Sequence, residues 1–197
     1  TDWSPTPGGT SIKFSGPGAY LITPHTADLL LGAGDFRITV WLKTVVSGER
    51  VMLDVYAGEA PTPNWQFSLR DGKLSWYASG YVLSGSIVVN DGVGRLVEAS
   101  RVNGILRFFT AGVLDGEIAD TRDYSSLYAT VFGIGAQVYS RNMAYDFTGY
   151  MSGINIRTGP NSGGHTSGYT PGWQDGTGGL PRTITASATP SALNFPG

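Results

Sequence analysis

The chain contains no cysteine, which excludes disulfide bonds and favours folding in a reducing compartment such as the cytosol. Charged residues make up only 14% of its 197 residues, and the formal net charge is -2. Without a run of Lys or Arg, neither a nucleic acid nor an anionic membrane is an expected partner. No apolar run approaches the ~18 residues that cross a bilayer, so membrane insertion is not expected either.

The sequence is also poor in the residues that most often carry catalysis. Its two histidines are His25 and His165, and neither lies beside a Ser, Asp or Cys that would suggest a nucleophile or a zinc site. The first residues show no basic segment followed by an apolar one, so no signal peptide is expected. A signal already removed would leave the same sequence.

Glycine and proline are abundant, with 29 and 11 residues, as is typical of short strands joined by turns. Residues 36–43 alternate between apolar and polar side chains, which predicts a half-buried strand. Asp71-Gly72, Asn103-Gly104 and Ala111-Gly112 separate further alternating runs and predict tight hairpins. We therefore predict an all-β fold, a two-sheet antiparallel jelly-roll sandwich.

The composition divides the chain into three parts. Residues 1–10 form a predicted N-terminal arm, residues 11–157 the jelly roll, and residues 158–197 a Gly/Pro-rich C-terminal arm in which 183–188 are a candidate edge strand. Two interpretations of the C-terminal arm stay open, a disordered tail and an arm that orders against another copy or another protein. In the second, the predicted assembly contacts are Trp3, Tyr169, Trp173 and Phe195.

Three phrases of the sequence carry a family resemblance. The first comprises Tyr20, Leu21, Pro24, Asp28, Leu29, Gly34, Asp35, Phe36, Ile38 and Trp41. The second spans residues 101–116 and the third residues 147–156. Together they resemble the laminin-G-like members of the concanavalin A-like lectin/glucanase superfamily. The departures are Gly94-Arg95-Leu96 in place of a tryptophan-histidine step, Ala111 in place of the hairpin aspartate, and Ser152-Gly153 in place of an acidic pair.

The resemblance implies a concanavalin A-like sandwich, a fold that hosts many functions. Glycoside hydrolases of this superfamily carry a Glu-x-Asp-x-Glu strand, and this sequence has none. Its nearest approach is Asp115-Gly-Glu117, interpreted as a solvated pair at a strand edge, so we predict that the protein is not an enzyme. No cofactor is expected, although Glu117, Asp120 and Asp123 could offer oxygens to Ca²⁺.

Aromatic residues are the remaining candidates for binding. Trp65 and Trp76 flank the Asp71-Gly72 turn and could pair across it, either inside the core or as a platform for a sugar. Tyr77 and Tyr81 fall in a loop-like Tyr-Ala-Ser-Gly-Tyr stretch and are more plausible contact residues. These four side chains form the predicted ligand-binding set.

Two functions are compatible with these features. The first is a non-catalytic structural protein of a tailed bacteriophage, a decoration or tail component that is made in the host cytoplasm and becomes part of the virion. Its partners would be other copies of itself and a larger assembly gripped by the terminal arms. The alternative is a secreted or surface carbohydrate-binding module whose partner is a cell-surface glycan.

Overall fold

The computed structural model describes residues 11–24, 29–57, 65–125, 129–139, 142–160 and 182–183. These residues contain fifteen β-strands and no α-helix. The strands are β1 (Ile12–Ser15), β2 (Leu21–Pro24), β3 (Phe36–Lys43), β4 (Arg50–Ala57), β5 (Trp65–Arg70), β6 (Lys73–Tyr77), β7 (Tyr81–Val88), β8 (Arg95–Val102), β9 (Ile105–Thr110), β10 (Val113–Ala119), β11 (Ala129–Ile134), β12 (Gln137–Tyr139), β13 (Asn142–Ala144), β14 (Thr148–Thr158) and β15 (Arg182–Thr183).

Two antiparallel sheets face each other. The seven-stranded sheet has the order β1-β14-β3-β8-β9-β10, with β15 also paired to β14. The six-stranded sheet has the order β2-β11-β4-β5-β6-β7, and β12 and β13 form a separate hairpin. The predicted all-β antiparallel two-sheet sandwich is thus confirmed. In the described part of the chain no helix is long and apolar enough to span a bilayer.

The three predicted hairpins are present and have the backbone that their sequences favour. Asp71-Gly72, Asn103-Gly104 and Ala111-Gly112 connect β5 to β6, β8 to β9 and β9 to β10. Both residues of each turn have positive φ, between 50° and 81°. A two-residue turn with this geometry matches the right-handed twist of the strands it joins, and Gly, Asn and Asp reach it at least cost.

The core lies between the sheets and is continuous. In β3, Phe36, Ile38, Val40 and Leu42 are fully buried, while the residues between them, including Trp41, are partly exposed on the outer face. This gives the alternation expected from the sequence. Leu31, in the loop ahead of β3, joins the same core. Apart from Arg101 and Ile38, the largest fully buried side chains are aromatic: Trp65, Trp76, Tyr124, Phe14, Phe36, Phe67, Phe108, Phe109, Phe132 and Phe147.

The interpretation of Asp115 as a solvated edge residue is wrong. Its side chain is buried, with 5% exposed, because a β-bulge between Leu114 and Gly116 turns it into the gap between the two sheets. There it accepts hydrogen bonds from the backbone N–H groups of Ser86 (2.6 Å) and Ile87 (2.7 Å) in β7. Asp115 thus joins the edge strands of the two sheets, whereas Glu117 is exposed as predicted.

Candidate functional site

Trp65 and Trp76 pair with each other, but inside the core. Both are 0% exposed, and their rings stack with centroids 5.3 Å apart and planes 2° from parallel. They lie on the inner face of β5 and β6, diagonal to each other across the hairpin. The core-packing alternative is therefore the observed one. The prediction that the two tryptophans bind a ligand is wrong, because neither ring is accessible to a sugar in solution.

Tyr77 and Tyr81 lie on the opposite, outer face of the same sheet. Tyr77 ends β6 and Tyr81 begins β7, so the stretch expected to be loop-like is a short turn between two paired strands. Ser79 and Gly80 make that turn with φ of 54° and 136°. The two rings meet edge to face, with centroids 5.5 Å apart, a favoured arrangement for aromatic pairs.

Two charged residues hold Tyr81 in place. The guanidinium carbon of Arg70 lies 4.0 Å from the centre of the Tyr81 ring, and the Tyr81 hydroxyl donates a 2.8 Å hydrogen bond to Glu49. Partial burial, followed by that hydrogen bond, raises the pKa of Tyr81 to about 12. The phenol is therefore neutral at physiological pH. Although 45% exposed, the side chain is fixed at both its ring and its hydroxyl.

Beneath these side chains, the outer face of the six-stranded sheet has a polar floor. Gln66 faces Tyr77 across the hairpin, and Ser75 lies between Ser68 and Ser84 on the neighbouring strands. Gln66, Ser68 and Ser75 are at most 2% exposed although they point away from the core. Within the described part of the chain, the Nε2 of Gln66 and the Oγ of Ser75 have no hydrogen-bond partner. Buried polar atoms of this kind are uncommon and call for an explanation.

We call the surface formed by Tyr77, Tyr81, Arg70, Gln66 and Ser75 the tyrosine face. The sequence predicts its two tyrosines but not its other members. Side chains of β5 alternate between the two faces of the sheet, and this alternation places Arg70 on the outer face. The alternation is the one sequence signal that could have indicated Arg70. Gln66 and Ser75 obey the same alternation, yet nothing in the sequence predicts that an outward-facing polar residue is buried.

The suggested Ca²⁺ ligands do not come together. Asp120 is buried and bound to Tyr124 (2.6 Å) and Arg122 (2.8 Å). Glu117 pairs with Arg107 at 2.9 Å, while Asp123 caps the backbone N–H of Ser125. Among the described residues no three acidic or histidine side chains converge on a point that could hold a metal. The donor set for a cation at this loop is therefore not assembled.

Several predicted residues cannot be located. His25, His165 and the four predicted assembly contacts, Trp3, Tyr169, Trp173 and Phe195, lie outside the described residues. Of the candidate strand 183–188, Thr183 is described and pairs with Asn155 of β14 within the same chain.

Comparison with solved structures identifies the fold. The chain is similar to the CBM40 module of the Ruminococcus gnavus IT-sialidase bound to α2,3-sialyllactose, with 15% identity, a TM-score of 0.55, and 73% of this chain and 88% of that one covered. It is similar to the LG1-3 region of the laminin α2 chain, with 15% identity, a TM-score of 0.60, and 74% and 30% covered. It is similar to the heptameric SAP-like pentraxin of Limulus polyphemus, with 14% identity, a TM-score of 0.54, and 74% of each chain covered.

The sandwich therefore has the concanavalin A-like fold, as the resemblance of the three sequence phrases implies. No protein-family model and no curated protein sequence matches the chain. At identities of this size the likeness concerns the fold, so the function must be argued from the chain's own surface.

Proposed function

We propose that this protein is a non-catalytic carbohydrate-binding module whose combining site is the tyrosine face. The observation that carries the proposal is an edge-to-face tyrosine pair in which Tyr81 is 45% exposed and fixed by Arg70 and Glu49. Sugars present apolar C–H faces and a rim of hydroxyl groups, so an exposed aromatic ring beside the exposed guanidinium of Arg70 suits them. A binding module of an enzyme is among the similar structures, and that module is described with a bound saccharide.

The absence of catalysis belongs to the same proposal. Of the two nearby carboxylates, Glu49 is engaged by the Tyr81 hydroxyl, and Asp54 is fully buried in the row of Gln66. The sequence also lacks the strand motif that places an acid and a nucleophile on one face. The site therefore offers orientation and hydrogen bonding to a saccharide but no obvious acid and base pair.

Binding to a broad glycan array tests this function. The full chain is expected to bind at least one glycan, and Tyr81→Ala and Tyr77→Ala are each expected to weaken that binding by about tenfold or more, since stacking on one ring contributes ~1–2 kcal/mol. Tyr150→Ala is the matched control, because Tyr150 is a half-buried tyrosine of the other sheet. Thermal unfolding confirms that each variant is folded. The proposal would be refuted if the chain bound no glycan on the array, or if Tyr81→Ala and Tyr150→Ala weakened glycan binding equally.

Attachment to a phage particle through the terminal arms stays a prediction, as does a place in the virion. Light scattering of the full chain and of a chain that ends at Thr158 tests it. An oligomer that the shorter chain loses would support an assembly role for residues 159–197. If both chains have the mass of a monomer in solution, the result argues against self-association and leaves the glycan-binding proposal unaffected.

A further inference from the structure

Arg70 is a cation that the protein holds in position without a carboxylate partner. Five other arginines of the described residues, Arg37, Arg95, Arg101, Arg107 and Arg122, form ion pairs with Asp or Glu. Arg70 is exposed, and within the described part of the chain its one recorded contact is the stacking on Tyr81. Such stacking orients a guanidinium group while its N–H donors stay available.

A second positive charge, that of Lys73, lies beside Arg70. Lys73 lies directly opposite Arg70 across the hairpin, and like charges in that position destabilise a sheet. Asp71 is in the turn between them, but no ion pair within 4 Å joins it to either cation in the described residues. Two further carboxylates belong to this face of the sheet: Glu49 accepts a hydrogen bond from the Tyr81 hydroxyl, and Asp54 is fully buried in the row of Gln66. An anion at the hairpin end would therefore relieve a repulsion already present.

We propose that the tyrosine face selects acidic saccharides, with a carboxylate or sulfate group held by Arg70 and the sugar ring beside Tyr81. This inference rests on the carbohydrate-binding function proposed above and narrows its ligand. A planar carboxylate can take two parallel N–H···O bonds from the guanidinium group. The charge of Arg70 then sets the preference for an acidic group, and the exposed Tyr81 ring sets the orientation of the sugar.

Calorimetric titration of the full chain with three saccharides of one backbone tests the inference: lactose, 3′-sialyllactose and 3′-sulfated lactose. At least one acidic saccharide is expected to bind tenfold or more tightly than lactose, and its advantage is expected to shrink as salt is raised. Arg70→Gln is expected to remove that advantage, so that the three saccharides bind with similar affinity. The ratio of the affinities is the readout, because loss of the stacking on Tyr81 can lower the affinity for all three saccharides together. Arg70→Lys is expected to keep only part of it, because an ammonium group does not form the two-bond contact.

Arg157→Gln is the matched control. Arg157 is a half-buried arginine of the other sheet without a recorded carboxylate partner in the described residues, and its replacement is expected to change no affinity. If lactose binds as tightly as both acidic forms, or if Arg157→Gln acts like Arg70→Gln, the inference is wrong while the carbohydrate-binding function stands. If none of the glycans on the array and none of these three saccharides binds, both fail.

Discussion

Replacing Arg101 with methionine is expected to lower the free energy of unfolding by about 3–5 kcal/mol. Arg101 is 1% exposed, and all three of its guanidinium nitrogens are used. They donate to the backbone oxygens of Gly34 (2.9 Å and 2.6 Å), Gly32 (2.8 Å) and Arg122 (2.6 Å). The change removes every one of these donors at once.

The expected loss is large because Arg101 also faces a buried carboxylate. Its Nη1 lies 3.3 Å from Asp120, whose side chain is fully buried. The guanidinium stacks between the rings of Phe36 and Tyr124, at 5.1 and 5.0 Å. Tyr124 donates to Asp120 at 2.6 Å and accepts from the indole N–H of Trp76 at 3.1 Å. Methionine fills part of the volume but leaves the charge of Asp120 without its buried cation.

Urea denaturation at neutral pH measures the effect, and Arg107→Met is the matched control. Arg107 lies in the same sheet but pairs with the half-exposed Glu117, so its loss is expected to be about 1 kcal/mol or less. Equal losses in the two variants would show that the buried network adds nothing beyond a surface pair.

The pH dependence gives a second readout of the same prediction. Burial by itself would raise the pKa of Asp120, but hydrogen bonds from Tyr124 and Arg122 and the charge of Arg101 outweigh it, so the pKa is lowered. A carboxyl group whose pKa is lowered in the folded state stabilises the fold at any pH above its ordinary, unfolded pKa. This stabilisation is lost as the pH falls through the lowered pKa. The difference between the natural protein and Arg101→Met is therefore expected to narrow below about pH 4.

Asp115→Ala is expected to cost about 2–3 kcal/mol of unfolding free energy, the second largest effect. Besides the two backbone donors of β7, the Asp115 carboxylate accepts from the hydroxyls of Ser86 (3.1 Å) and Thr110 (3.0 Å). Alanine would leave these donors unpaired at the line where the two sheets meet. The Asp115 carboxylate also packs closely against the backbone of Gly85, since a Cβ atom at Gly85 would lie only 2.5 Å from its Oδ2.

Denaturation together with amide hydrogen exchange measures this effect. In Asp115→Ala the amides of Ser86 and Ile87 are expected to exchange much faster, because the bonds that protect them are gone. Glu117→Ala, two residues along the same strand, is the control and is expected to change stability by less than about 1 kcal/mol. Unchanged protection at Ser86 and Ile87 would show that Asp115 does not hold the sheet edges together.

The sequence by itself determined the fold class of this protein. Strand alternation and two-residue turns such as Asp71-Gly72 depend on neighbouring residues, and local preferences suffice to predict them. The resemblance of the three phrases added the type of sandwich. None of these signals required knowledge of which distant strands pair, for example that β3 lies between β8 and β14.

The tertiary structure alone decided which residues are available for binding. Alternation separates the two faces of a strand but does not say which face is covered, so both Trp65 on the inner face and Tyr77 on the outer face were among the candidates, although Tyr77 was favoured. It also cannot show that a bulge turns Asp115 inward, or that Tyr81 places Arg70 over a buried polar floor. Both arrangements join residues that are far apart along the chain, and burial and electrostatics depend on everything packed nearby.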